Sequence, residues 1–208
     1  MCSSFASIFP QKITASLFIY GRVKTSNVFF YKRHLHVDLK KSGFYYFDNQ
    51  NGDILNLFKK RGFGVLMIEG IKVFNTHLSN CQMFFETKVD IDNLSNRYDQ
   101  IKQLIRETNS SDTNVICGDF NCDADSPDLI EMNNLFTSTC KCYTWAGSNS
   151  LTDGFHKVRD HQSDYIFVNN AFILSAEMVM CQQDVSLSDH YGVLVDIKHP
   201  SSVNSFKN

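Results

Sequence analysis

Val115-Ile116-Cys117-Gly118-Asp119-Phe120-Asn121 is the stretch on which the fold turns. Its apolar start reads as a short strand of the buried type, running from Asn114 to Cys117. Glycine follows at once and permits a tight exit from that strand. Asp119 and Asn121, two residues apart, can then aim their side chains at one point. Taken alone, the same residues also make an Asx-rich turn of no chemical consequence.

Outward from this stretch, strands and helices alternate. Upstream, Ala15–Tyr20 and Asn27–Tyr31 read as strands, and Gly43–Phe47 is an aromatic run that ends in the turn cluster Asp48-Asn49-Gln50-Asn51-Gly52. Phe63–Ile68 and Ile71–Thr76 flank Glu69-Gly70, a hairpin signal. Asp92 to Thr108 is the clearest helix: Leu94, Tyr98, Ile101, Leu104 and Ile105 recur at helical spacing, with Arg97, Gln100, Lys102 and Arg106 on the other face. Downstream, Ser126-Pro127 offers a cap and a first-turn proline for a helix reaching about Phe136. Asp164–Val168, Phe172–Met180 and Gly192–Ile197 read as further strands. The mixture predicts an α/β protein with sheets covered by helices.

Composition narrows the class. The chain has 208 residues, of which 18 are Phe, 8 Tyr and only 3 Pro, which excludes intrinsic disorder. A chain of this length buries roughly 70% of its unfolded surface and needs no disulfide or metal to fold. No apolar run approaches the ~20 residues of a membrane span. Lys and Arg number 20 against 22 Asp and Glu, which disfavours a generally basic nucleic-acid binder. Local basic groups at Lys32-Arg33, Lys40-Lys41 and Lys59-Lys60-Arg61 read as solvated faces. The seven cysteines are odd in number, and Cys140-x-Cys142 lacks a second ligand pair at zinc spacing. Reduced thiols in a reducing compartment are the expectation. No signal peptide is read in Met1–Tyr20, so a cytoplasmic or membrane-peripheral location is expected. Residues 1–198 read as one domain and 199–208 as a frayed polar tail.

Four polar segments stand where strands end, the position that α/β folds favour for their sites. They are Asn75-Thr76-His77-Leu78, Gly118-Asp119-Phe120-Asn121, Ser163-Asp164-Tyr165-Ile166-Phe167-Val168 and Ser188-Asp189-His190. Singly each has a bland reading: a structural histidine, an Asx turn, a solvated strand edge, a turn pair. Their order resembles the endonuclease/exonuclease/phosphatase superfamily over roughly Ser16 to Lys198. Within it the chain looks most like the neutral sphingomyelinases. Lys60-Arg61-Gly62-Phe63-Gly64 is similar to their lysine-glycine segment, Thr76-His77-Leu78 to their T-H-L, Arg97 and Gln100 to an R-x-x-Q pattern, and Cys117-Gly118-Asp119-Phe120-Asn121 to a strand end of the form C-G-D-[LF]-N. The inositol-phosphatase branch is less similar, because no P-x-W-C-D-R segment occurs.

The resemblance implies a DNase I-like four-layer sandwich of two mixed β-sheets flanked by helices. It also implies a phosphoric diester hydrolase that directs water at phosphate with Mg²⁺, or Mn²⁺ in its place. His190 and Asp164 would form a pair in which the carboxylate orients the imidazole and favours its charged form. Whether His190 is then a base or a phosphate clamp stays open. Asp119 would orient or deprotonate the water, Asn121 and His77 would donate to phosphate oxygens, and Asp189 would face the metal. The partner would be a phospholipid cleaved to a phosphorylated head group, with peripheral membrane contact. A nucleic acid is the alternative substrate.

Two motifs of the family are not found: an Asn ending the first strand, and a Gln-Glu pair whose Glu is the principal metal ligand. No Gln-Glu dipeptide occurs, and the first Glu is Glu69. The resemblance therefore predicts an N-terminally truncated domain, a catalytically silent homologue, or a site in which Asp53 or Glu86 holds the metal.

Overall fold

The computed structural model of the chain describes residues 6–8, 28–49, 60–80, 88–145, 147, 151, 160–181 and 188–200. Its strands are β1 (Ala6–Ile8), β2 (Gly43–Tyr46), β3 (Gly62–Ile68), β4 (Ile71–His77), β5 (Thr113–Asp119), β6 (Thr137–Ser138), β7 (Asp164–Asn169), β8 (Phe172–Val179) and β9 (Gly192–Lys198). Its helices are α1 (Lys88–Glu107) and α2 (Ile130–Leu135). Six strands form one mixed sheet in the order β2-β3-β4-β5-β7-β6, and three form a second in the order β1-β9-β8.

The large sheet is built by alternation. On β3, Phe63 and Val65 enter one apolar cluster with Ile101 and Leu104 of α1, Leu129 just before α2 and Met132 within it. Leu66 and Ile68 enter a second cluster, which also holds Val193, Val195 and Ile197 of β9. Ile116 of β5 joins the first cluster, Val115 and Cys117 the second. The period of two thus turns one strand face to the helices and the other to the second sheet. Both faces are covered, which explains why β5 and β7 read as unbroken apolar runs. Parallel strands β4 and β5 are joined through α1, as a parallel pair requires a long crossover.

The hairpin falls where the sequence puts it. Glu69 and Gly70 both have positive φ, 49° and 79°, the backbone of a two-residue turn matched to strand twist. Glu69 also accepts the backbone N–H of His36 at 2.6 Å. α1 begins earlier than the periodicity indicates. The helix expected from Ser126 opens as a 3-10 turn over Pro127–Leu129 before α2, with no side-chain cap from Ser126.

One expectation is overturned in its described part. Val28–Tyr31, within the predicted strand Asn27–Tyr31, forms no strand. The segment packs irregularly instead. The Phe29 ring lies over Gly64, and the Val28 carbonyl accepts the Asn75 amide at 3.3 Å. Phe29 packs against the inter-sheet core without joining a ladder, while Phe30 and Tyr31 are exposed. Ala15–Tyr20, Asp53, Glu86 and the tail beyond residue 200 lie outside the described residues. Conversely β1 was not anticipated; it pairs in parallel with β9, Ala6 opposite Val193. Among the described residues, no helix is long and apolar enough to cross a membrane.

Candidate active site

Strand register assembles the site. His77 ends β4 opposite Asp119, which ends β5, and Asp119 stands opposite Asp164, which opens β7. Directly opposed residues point to the same face, so three polar side chains form a row across three strands. Asp119 continues the phase of Val115 and Cys117, which face the second sheet. His190, two residues before β9 of that sheet, reaches the row from across the gap. Gly118 is required here. Its φ is +140°, and a Cβ would lie 1.9 Å from the Thr76 carbonyl oxygen.

His190 Nδ1 lies 2.6 Å from Asp164 Oδ2, with both side chains buried. The Ser163 hydroxyl donates to the same Asp164 oxygen at 3.2 Å. The N–H of His190 donates to Ser188 Oγ at 3.1 Å. From behind, Thr144 Oγ1 accepts the backbone N–H groups of Ser163 at 3.0 Å and Asp164 at 2.9 Å. The Thr144 carbonyl accepts from Tyr191 at 2.7 Å. One buried threonine therefore ties the start of β7 to the entry of β9.

Asp119 Oδ2 lies 3.6 Å from His77 Nε2, and Asp119 Oδ1 accepts the N–H of Asn121 at 2.8 Å. Burial pushes the Asp119 carboxyl up from 3.8 to about 7, and the Asp164 carboxylate adds to the rise. His190, the Asn121 N–H and Arg61 pull the other way. Ligand atoms of Asp119, Asp164 and His190 all lie within 4.8 Å of one another, close enough to hold a metal ion.

Five of the six sequence-predicted residues thus gather at one end of the large sheet: His77, Asp119, Asn121, Asp164 and His190. Asn121 has φ 52° and spends one amide hydrogen on the Leu78 carbonyl at 2.9 Å. Asp189 is half-buried next to His190 and accepts from the Ser188 hydroxyl at 3.3 Å. It is not among the three residues whose ligand atoms converge.

The R-x-x-Q residues have a role that the sequence did not reveal. Gln100 grips Ser79 at two points: Oε1 accepts its N–H and Nε2 donates to its hydroxyl, each at 2.9 Å. Arg97 donates to the Asp128 carboxylate and to the Asn121 carbonyl. One turn of α1 therefore braces both loops, the one after His77 and the one after Asp119. Arg61 adds a third brace, donating to the carbonyls of His77 at 3.2 Å and Leu78 at 2.8 Å. Thr144 was missed altogether, since nothing local distinguishes it.

No family model matches the sequence, and no curated protein does. Solved structures do match. An endonuclease/exonuclease/phosphatase protein from Bacteroides vulgatus is similar at 18% identity over 84% of this chain and 70% of that one, with a TM-score of 0.60. TDP2 from D. rerio, complexed with single strand DNA product, matches at 15% identity over 76% of this chain and 66% of that one, TM-score 0.55. Beta toxin from Staphylococcus aureus matches at 20% identity over 72% of this chain, TM-score 0.51, and the chain spans 61% of its length. The fold is therefore the DNase I-like α/β fold that the motif order implied.

Proposed function

We propose that the chain is a phosphoric diester hydrolase that directs water at a phospholipid and releases its phosphorylated head group. The convergence of Asp119, Asp164 and His190 within 4.8 Å supports this reading above all else. A phosphodiester is anionic and repels hydroxide, so its hydrolysis needs a base for the water and donors for the nonbridging oxygens. Asp119, raised to about 7, is the base, because a catalytic base works best with a pKa near the working pH. His190, fixed through Nδ1 by Asp164, turns its other nitrogen to phosphate. His77 stands beside Asp119 as a second donor, and Asn121 holds Asp119 through its N–H.

A divalent cation fits the donors at this end of the sheet: two crowded buried carboxylates, with the half-buried Asp189 next to His190 in the chain. We assign Asp189 to it, because Asp164 already serves His190 and Asp119 faces His77. Mg²⁺ or Mn²⁺ suits such oxygen donors and would offset charge on the phosphate.

Support for a lipid comes from the residues shared with neutral sphingomyelinases and from Tyr45 and Tyr46, which are about half exposed on edge strand β2. Tyr46 pairs with Gly62, next to the Arg61 brace. A nuclease of the same superfamily is the second reading, favoured by the similarity to the DNA-bound TDP2. Phosphocholine release from sphingomyelin vesicles with Mg²⁺ or Mn²⁺ is the test. Release slowed by roughly 10²–10⁴ in Asp119→Asn is expected. Salt-sensitive cleavage of single-stranded DNA in its place would favour the nuclease. Turnover of neither would overturn hydrolysis and favour a silent binding module.

A further inference from the structure

Five cysteines lie among the described residues, and none has a part in the chemistry above. Cys117 and Cys122 are buried core residues, the former donating to the Phe74 carbonyl. Cys140 and Cys142 differ. Their sulfur atoms lie 2.7 Å apart, both half-buried and both free thiols. This is closer than two thiols packed side by side need to be, and not far above the ~2.05 Å of a sulfur–sulfur bond.

The pair sits where a covalent change would be felt. The Cys140 carbonyl accepts the Gln162 amide at 2.9 Å, and the same nitrogen lies 3.4 Å from the Asp164 carbonyl. Two residues after Cys142 comes Thr144, whose hydroxyl holds the N–H groups of Ser163 and Asp164. The backbone of Trp145 bridges to His161 and His190. The segment 140–145 is thus the backing of the Asp164–His190 pair.

We propose that Cys140 and Cys142 are an oxidation site: a hydroperoxide converts the two thiols to a reversible C-x-C disulfide directly behind the Asp164–His190 pair. The balance is simple. One thiol sulfur attacks the peroxide and becomes a sulfenic acid, releasing one water or alcohol. The other displaces that hydroxyl as water and forms the sulfur–sulfur bond. Two thiols lose two hydrogens and the peroxide is reduced. A bridge spanning one intervening residue closes a small ring, and strained disulfides are the readily reduced, regulatory kind. Burial, then Cys140, then Asp164 push the Cys142 thiol up to about 12, so its thiolate is scarce at neutral pH and the bridge forms slowly there and faster as pH rises. The proposal concerns this loop and stands whether or not the chain hydrolyses a phosphodiester.

Peptide mapping tests it on the full reduced chain treated with hydrogen peroxide. Lys141 lies between the two cysteines, so tryptic cleavage leaves its two flanking peptides joined only if the bridge has formed. The expected result is that joined species, lost on dithiothreitol treatment and absent in Cys140→Ser, while Cys117→Ser still forms it. Oxygen adducts without a bridge, or a bridge through Cys181 or any other cysteine, would overturn the proposal. Activity measured alongside reads the coupling to His190 separately, so an inactive chain would not obscure the chemistry.

Discussion

Two buried ion pairs lie on opposite sides of the large sheet, and they differ in what surrounds them. Arg97 and Asp128 meet in the helical layer, with both side chains nearly inaccessible. The guanidinium is permanently charged, and its carboxylate partner balances it. Its further donor goes to the Asn121 carbonyl, so the pair is fully engaged as a brace. His190 and Asp164 meet on the face toward the second sheet and are equally buried. There the balance is conditional: two carboxylates, Asp119 and Asp164, crowd together, and their partners His77 and His190 carry charge only when protonated. The consequence shows in Asp119: burial, and then the Asp164 carboxylate, raise its carboxyl to about 7. A balanced buried pair holds structure, whereas a conditionally balanced one stores reactivity.

The strongest way to break this comparison is to neutralise one of the crowded carboxylates. Asp119→Asn keeps size and removes the base, and the rate should fall by roughly 10²–10⁴. Stability should move the other way. A carboxyl whose folded value is raised contributes stability that is present below about 3.8 and is lost as pH rises through about 7. At pH 8 the variant should therefore melt no lower than the wild type. A full-rate Asp119→Asn enzyme, or one that melts far lower, would sink the assignment.

The brace should behave oppositely. Arg97→Met leaves Asp128 buried without its cation and should cost about 3–5 kcal/mol of stability, read by urea unfolding. Arg97→Met combined with Asp128→Leu removes both charges and should recover most of that loss. If the double variant is as unstable as the single one, the pair is more than a balanced brace.

Acidity sharpens the contrast without mutation. With Asp119 as base, the rate of the wild type should fall about tenfold per pH unit below about 7 and level off above it. A rate independent of pH between 5 and 8 would remove Asp119 from the base role.

How much of this was legible depended on distance along the chain. The hairpin was read to within a residue because its turn and both arms are local. The motif residues at strand ends were legible as candidates, and strand register then brought His77, Asp119 and Asp164 into one row. Asp128 and Thr144 were not legible. Each acts on a partner far off in sequence, Arg97 in one case and Asp164 in the other, and neither breaks a local pattern. Val28–Tyr31 misled for a related reason. Its apolar run signals a strand, but only Phe29 packs against the core and the backbone joins no ladder.

The smallest effect is expected where the brace touches the site through neutral groups. Gln100→Leu removes both bonds to Ser79 and leaves the buried N–H and hydroxyl of that residue unpaired. That should cost about 1–3 kcal/mol, less than the loss of Arg97, because no charge is stranded. It should also lower kcat with little change in KM. The Ser79 loop follows His77 directly, and a misplaced donor weakens the transition state more than the bound substrate. Gln100→Glu restores the acceptor for the Ser79 N–H and should recover part of the stability. Equal losses in Gln100→Leu and Gln100→Glu would show that Gln100 acts by filling space, and α1 would then brace the Asn121 loop through Arg97 without gripping the His77 loop.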